Sequence, residues 1–308
     1  MDGGIPDAQL KAAAPARRLD GYVRMLRPLQ WAKNGLLIVP LITSHQVTPG
    51  ALASVVLAMA AFSLAASSAY VLNDLVDLSA DRGHPFKRWR PLVSGEVPVS
   101  HGLVIAPLLL TAAVAVVLLL PWGVGVALAA YAATNLAYSL VLKRKMLVDV
   151  LTLAGLYTLR VVAGAAAIGV SVSQWLLVFS MFIFLALALV KRHAELVLRI
   201  AGGLPDPANR DYRVADLPVL VALAAAAGCA AVVVLALYIA GPEQLLLYRH
   251  RCWLYLICPL LLYWFARVLM RSNRGELPDD PVVFALKDPV SLGAAALAVA
   301  VVAVAAYV

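Results

Sequence analysis

Residues 51–81 read ALASVVLAMAAFSLAASSAYVLNDLVDLSAD. The first part, 51–72, is an apolar run long enough to cross the roughly 30 Å hydrocarbon core of a bilayer, which takes about 20 helical residues. It ends in Asn73, Asp74, Asp77 and Asp81. Asn73, Asp77 and Asp81 are four apart, and Asp74, Asp77 and Asp81 follow at i, i+3 and i+7, so a helix brings all four polar groups to one face. Three carboxylates crowded at the end of an apolar helix repel one another and are costly there unless a cation neutralises them. The stripe therefore predicts a divalent cation site. Mg2+ suits it, because that ion takes a few carboxylates, keeps waters and bridges to substrate phosphates.

The rest of the chain follows the same ruler. Of 308 residues 63% are hydrophobic and 14% charged, with a mean hydropathy of +0.89 and a formal charge of +8. Soluble domains are about half apolar and about a quarter charged, so this composition predicts an integral membrane protein. Apolar runs fall near 34–49, 51–72, 103–120, 123–142, 147–170, 174–190, 217–240, 252–270 and 289–308, which makes nine expected helices. The first is the shortest and is interrupted by Pro40 and Pro49.

Lysines and arginines sort by loop. Six lie in 1–33, four in 73–102, three in 143–146, five in 191–216 and four in 267–288; the alternate loops hold Arg249 and Arg251, and Arg160 lies inside a span, which accounts for all 25. Cytoplasmic loops collect these residues. The pattern thus predicts a cytoplasmic N-terminus, an external C-terminus and a functional face on the cytoplasmic side, where the two long loops 73–102 and 191–216 follow the second and sixth spans. The first eight spans read as two four-helix halves, with a ninth helix after them. Residues 1–33 are expected to be a cytosolic tail and interfacial segment, its first 20 residues disordered and uncleaved, and 34–308 a single transmembrane domain. Cys229, Cys252 and Cys258 have no ligand spacing and predict neither disulfide nor zinc.

Further polar groups cluster at the predicted cytoplasmic ends. Directly after the stripe come Arg82, His84, Lys87, Arg88 and Arg90, with Pro85 and Pro91 stiffening the segment. Acids for a metal beside bases for oxygens suit a Mg2+-bound polyphosphate. The corresponding place after the sixth span reads Lys191-Arg192-His193-Ala194-Glu195. Lys191 and Glu195, at i and i+4, either pair with each other or form a second half-site with cations for a phosphate and a carboxylate for a metal, a hydroxyl or an orienting arginine. Arg160 is too deep to reach water, and Asp149, 11 residues earlier on the same helix, is about 16 Å away at 1.5 Å per residue. Arg160 is therefore expected to find an anion elsewhere. Lys33, Asn34, Asn135, Tyr138, Lys143, Arg144 and Lys145 complete the inward polar candidates. There is no Walker loop, no dinucleotide fingerprint and no paired-aromatic nucleic-acid surface.

Asn73-x3-Asp77-x3-Asp81 with its basic loop, the nine spans and the two-half layout resemble the UbiA superfamily of membrane prenyltransferases over essentially the whole chain. Arg27-Pro28-x2-Trp31-x-Lys33-Asn34 and Tyr138-Ser139-x3-Lys143-Arg144 support the resemblance. It implies an all-α bundle around a central cavity, a Mg2+-diphosphate held by two Asp-rich motifs, and transfer of a prenyl group to an acceptor. Where a second Asp-x3-Asp motif is usual, this chain has Lys191 through Glu195, with a lysine in place of the first acid. That departure, the Arg160-x2-Ala163-Gly164 pattern and the stretch Asp279-Asp280-Pro281 through Asp288 are similar to the branch typified by decaprenyl-phosphate phosphoribosyltransferase.

That branch implies Mg2+-dependent transfer of 5-phosphoribose from phosphoribosyl pyrophosphate to a polyprenyl phosphate, with pyrophosphate released, for cell-envelope precursors in a bacterial inner membrane. In this reading Asp74, Asp77 and Asp81 hold the metal and Asn73 positions it. Lys87, Arg88, Arg90 and Lys143 take up the leaving charge. Arg160, Lys191 and Arg192 bind the sugar or lipid phosphate, Glu195 takes a ribose hydroxyl or orients a base, and Lys33, Asn34 and Tyr138 line the site. The alternatives are an ordinary prenyltransferase acting on a prenyl diphosphate and a small acceptor, and a transporter or lipid-binding protein with a vestigial site. No nucleic-acid partner is expected, and the sequence is compatible with a homo-oligomer.

Overall fold

A computed structural model of the chain describes residues 15–44, 46–83, 87–203, 205–207, 210–241, 248–277 and 281–307. Among these, every regular element is a helix. In chain order they are α1 (Pro15–Leu26), α2 (Val39–Thr43), α3 (Pro49–Val76), α4 (Leu78–Arg82), α5 (Val99–Val117), α6 (Trp122–Leu140), α7 (Val148–Ile168), α8 (Gln174–Ala201), α9 (Leu217–Ala240), α10 (Ile257–Asn273), α11 (Pro281–Ala285) and α12 (Pro289–Tyr307). Eight helices among the described residues are long and apolar enough to cross a membrane: α3, α5, α6, α7, α8, α9, α10 and α12, with a short 3-10 turn leading into α9 and into α10.

The first expected span, 34–49, departs from the pattern. Residues Pro28–Ile38 form a 3-10 helix that passes into the single turn of α2, and Pro49 opens α3 instead of closing a span. Prolines belong at the first helical position, where no N–H is needed, and the Thr48 hydroxyl caps α3 by accepting from the Ala51 amide at 3.2 Å. The 3-10 segment turns Lys33, Asn34 and Leu37 into the protein interior. It packs backbone to backbone on α7: a Cβ at Gly164 would stand 2.2 Å from the Leu37 carbonyl oxygen. Only glycine permits that approach. The expected tail also shortens, because α1 is helical from Pro15 onward; residues 1–14, with the rest of that expectation, lie outside the described ones, as do His84, Pro85, Asp279 and Asp280.

Two apolar cores meet at α7. One gathers α7, α8, α9 and α10 around Phe184, Leu187, Leu220 and Phe265; the other joins α2, α3, α6 and α7 around Leu41, Phe62, Tyr131 and Leu156. Half of the spanning windows of α3 and α7 is buried in the protein, against 11% for α12, which makes α12 an outer helix of the bundle. The helices α3 and α8 each have 28 residues, about 42 Å at 1.5 Å per residue, so both outreach the roughly 30 Å apolar core. The C-terminal part of α3 with the turn after it carries the acidic stripe, and the C-terminal third of α8 carries Lys191 through Glu195.

Candidate functional site

The acidic stripe is neutralised by the chain's own cations. Arg27, preceding the 3-10 segment in a left-handed conformation (φ 53°), donates to Asp74 Oδ1 at 2.6 Å. Arg90 donates to Asp74 Oδ1 at 3.0 Å and to Asp81 Oδ2 at 2.5 Å. Lys143, from the turn after α6, donates to both Asp77 oxygens at 2.7 Å and to Asn73 Oδ1 at 3.2 Å. Lys87 Nζ stands 4.0 Å from Asp81 Oδ1. Asp74 and Asp81 are buried, and Asp77, with 18% of its side chain exposed, is the open member. Such pairing is what a low-dielectric setting demands, since a lone carboxylate there is far costlier than a paired one.

The stripe was expected to surround a metal directly. Among the described residues no three acid, histidine or cysteine side chains converge closely enough to hold an ion. The spacing is helical, but α3 ends at Val76 and resumes as α4 after Asp77, and the carboxylates divide between two cations, Asp74 and Asp81 on Arg90 and Asp77 on Lys143. The donor chemistry still suits a hard cation, because every available ligand is an oxygen. Mg2+ needs only one or two carboxylates when it brings waters and phosphate oxygens with it. Arg88 is exposed and lies over the Trp89 ring at 4.9 Å.

A second cluster joins α6, α7, α8 and the connection to α9. Arg192, 2% exposed, donates from Nε to Asp149 Oδ2 at 2.6 Å, from Nη1 to Glu195 Oε2 at 2.6 Å and from Nη2 to the Tyr138 hydroxyl at 3.1 Å. Tyr212 donates to Asp149 Oδ1 at 2.5 Å and accepts from the Leu147 amide at 2.9 Å. Burial and the bond to Asp149 push the Tyr212 phenol well above its ordinary value, so it remains a donor at neutral pH. Arg210 Nη1 lies 3.4 Å from Glu195 Oε2. Glu195 thus meets both Arg192 and Arg210. Tyr138 and Lys143 are five residues apart at the end of α6, so one helix terminus touches both clusters.

Arg160 behaves differently from expectation. Among the described residues it meets no anion but three neutral oxygens: Asn34 Oδ1 at 2.9 Å, the Leu156 carbonyl at 2.7 Å and the Tyr131 hydroxyl at 2.8 Å. Its guanidinium also lies over the Tyr131 and Tyr157 rings at 4.8 and 5.4 Å. Five delocalised donors and two ring faces disperse the charge. Asn34 in turn donates to Ser63 at 2.9 Å, and Lys33 Nζ lies 5.6 Å from the Tyr157 ring centroid, so this third group ties the 3-10 segment to α3 and α7. Sequence reasoning passed over Arg210, Tyr212 and Tyr131 and gave Asp149 and Arg27 no role. Asp149 carried a signal, an acid at the start of an apolar helix; Tyr131 and Tyr212 carried none.

A bundle with two charged clusters at one end defines a helical membrane protein whose polar machinery sits at a bilayer edge. The chain belongs to the UbiA prenyltransferase family, which it matches over residues 36–287. It is 36% identical over 273 residues to the uncharacterized protein y4nM of Sinorhizobium fredii, covering 88% of this chain but only 53% of that protein, so it spans about half that relative's length. The nodulation protein NoeC of Azorhizobium caulinodans is 31% identical, with 88% of each chain covered. Decaprenyl-phosphate phosphoribosyltransferase of Mycolicibacterium smegmatis is 35% identical over 197 residues, 62% of each. A UbiA homolog from Archaeoglobus fulgidus, solved bound to GPP and Mg2+, has a TM-score of 0.70 at 18% identity, covering 92% of this chain and 99% of that one. At that identity the likeness is one of fold.

Proposed function

We propose that this chain transfers 5-phosphoribose from phosphoribosyl pyrophosphate to a polyprenyl phosphate, releasing pyrophosphate, at the cytoplasmic leaflet of a bacterial inner membrane in the making of cell-envelope precursors. The observation that carries the reading is the pair of unlike clusters at one end of the bundle: three acids interleaved with Arg27, Arg90 and Lys143, and an arginine-rich group where a second acidic motif is usual. A donor with a diphosphate at one end and a phosphate monoester at the other needs both. The similarity to a decaprenyl-phosphate phosphoribosyltransferase points the same way.

Asp77, the open carboxylate, would hold Mg2+, which when bound supplies positive charge to the leaving pyrophosphate, while Asp74 and Asp81 hold Arg90 beside it. Arg90, Lys87, Lys143 and Arg88 neutralise the diphosphate as its bond to C1 breaks, and Asn73 orients it through Lys143. The C1–O bond to pyrophosphate breaks with its electron pair leaving on oxygen, and an oxygen of the lipid phosphate forms the new C1–O bond from the opposite face. Inversion at C1 follows. The lipid phosphate is already anionic, so no strong general base is required, and orientation carries much of the rate. The second cluster takes the donor's sugar phosphate, with Lys191 beside it and Glu195 on a ribose hydroxyl. Lys33, Asn34 and Arg160 hold the wall formed by the 3-10 segment.

The test is Mg2+-dependent incorporation of radiolabelled phosphoribosyl pyrophosphate into an organic-extractable lipid, with purified protein, polyprenyl phosphate and Asp77→Ala alongside. A labelled lipid made by the wild type and lost in the variant supports the reading. A folded wild type that makes none sinks it and directs the search to prenyl diphosphates and their acceptors.

A further inference from the structure

Arg192 was the expected phosphate ligand of the second cluster, and its surroundings leave it little capacity for that task. Each of its nitrogens is already bonded, to Asp149, Glu195 and Tyr138, and the residue is buried. Turning it toward a ligand would strand a fully buried carboxylate, Asp149.

Arg210 is placed otherwise. It lies on the connection between α8 and α9, outside the eight spans, with 21% of its side chain exposed. Its Nη1 is shielded from solvent and has no hydrogen-bond partner among the described residues: it stands 3.4 Å from Glu195 Oε2 without alignment and 4.0 Å from Asp149 Oδ2. A shielded guanidinium N–H without a bond is uncommon and calls for a reason. Two residues on, Tyr212 pins the connection to α7 through Asp149 and the Leu147 amide. The connection is thus anchored to α7 while Arg210 Nη1 makes no hydrogen bond among the described residues.

We propose that Arg210, and not Arg192, is the phosphate-gripping arginine of this cluster. It leaves Glu195 for a phosphate monoester, the 5-phosphate of the soluble sugar donor, and Glu195 turns to a sugar hydroxyl. This rests on the phosphoribosyl reading above. Neither carboxylate is stranded by the exchange, since both keep Arg192 at 2.6 Å and Asp149 also keeps Tyr212 and the Val150 amide. A guanidinium suits the task, because its planar fork binds phosphate oxygens in pairs. A position on a connection outside the spans favours the water-soluble donor over the lipid phosphate as the source of that monoester.

The experiment uses the full chain in lipid nanodiscs, as wild type, Arg210→Gln and Arg210→Lys, with matched melting profiles as the control for folding. Phosphoribosyl pyrophosphate is varied at saturating polyprenyl phosphate, then the lipid phosphate at saturating donor. In the glutamine variant the KM for the donor should rise about tenfold or more, as expected for a lost charge-assisted pair, with kcat moved far less and the lipid KM unchanged. Lysine should recover part of the loss. Unchanged KM values in the glutamine variant, or an effect confined to kcat, overturn the proposal while leaving the phosphoribosyl reading intact. A rise confined to the lipid KM overturns the assignment to the donor. A wild type that turns over no phosphoribosyl pyrophosphate overturns the functional reading itself and this proposal with it. If the glutamine variant fails to fold, the lysine variant decides: a donor KM equal to wild type with glutamine unfolded assigns Arg210 a structural role.

Discussion

The Asp149–Arg192 pair is where the second cluster should prove most sensitive. Asp149 is 0% exposed and Arg192 2%, with 2.6 Å between Oδ2 and Nε. Removing one charge from a buried pair costs about 3–5 kcal/mol, because the survivor is left uncompensated. Asp149→Leu also strips the Tyr212 hydroxyl and the Val150 amide of their acceptor, each worth a further ~1–3 kcal/mol if left unsatisfied. Arg192→Met strands Asp149 and loosens Glu195 and Tyr138. At about 2–4 °C per kcal/mol for a large domain, the stranded charge alone should make either single variant melt roughly 6–20 °C below wild type, with Asp149→Leu the lower of the two. The double variant Asp149→Leu/Arg192→Met removes both charges together and should lie well above the sum of the singles, since an apolar pair of similar volume is often tolerated. Melting in one detergent, followed by the fraction that stays monodisperse on size exclusion, reads all three. Single variants within a degree or two of wild type, or a double that falls by the full sum, would refute the reasoning.

Other outcomes follow from the same geometry. Gly164→Ala drives a methyl to 2.2 Å from the Leu37 carbonyl, so the 3-10 segment must lift from α7; a loss of folded yield, or of several kcal/mol, is expected on size exclusion, while a variant that melts like wild type would mean the segment is not seated there. Lys143→Gln removes the cation shared by Asp77 and Asn73 and should lower kcat/KM about 100-fold or more, measured in the labelled-lipid assay. Arg267 and Ser291 hold the Asp288 carboxyl well below the usual carboxylate range. Because its folded-state value is depressed, its stabilisation is present above the unfolded value of 3.8 and drains as pH falls below it. Wild-type melting should therefore drop more steeply than that of Asp288→Asn between pH 5 and 3, values set about that point.

Most of the architecture was legible because lipid imposes a length and a composition on every span. Eight of the expected helices match those rules, and charge alternation put the polar motifs at one end. The exception, Pro28–Thr43, is a segment whose inward polar residues are fixed by packing on Gly164 and by Arg160, neither of which a hydropathy window registers. The acidic stripe was visible from its spacing, but its partners were not. Lys143 is 66 residues from Asp77 and Arg27 is 47 from Asp74, and no local periodicity reports contacts at such separations.

Arg160 shows why an isolated intramembrane charge does not by itself name its partner. The rule that such a group needs an anion treats it as a point charge in hydrocarbon. A guanidinium is a planar fork, and here three neutral oxygens and two tyrosine faces surround it. Had an acid stood there, the pair would be electrically closed. Its partners among the described residues are neutral, so the positive charge is held in place without being cancelled. Replacement by methionine would therefore remove a tether for the 3-10 segment, whereas lysine would keep the charge and lose the fork that reaches three oxygens at once.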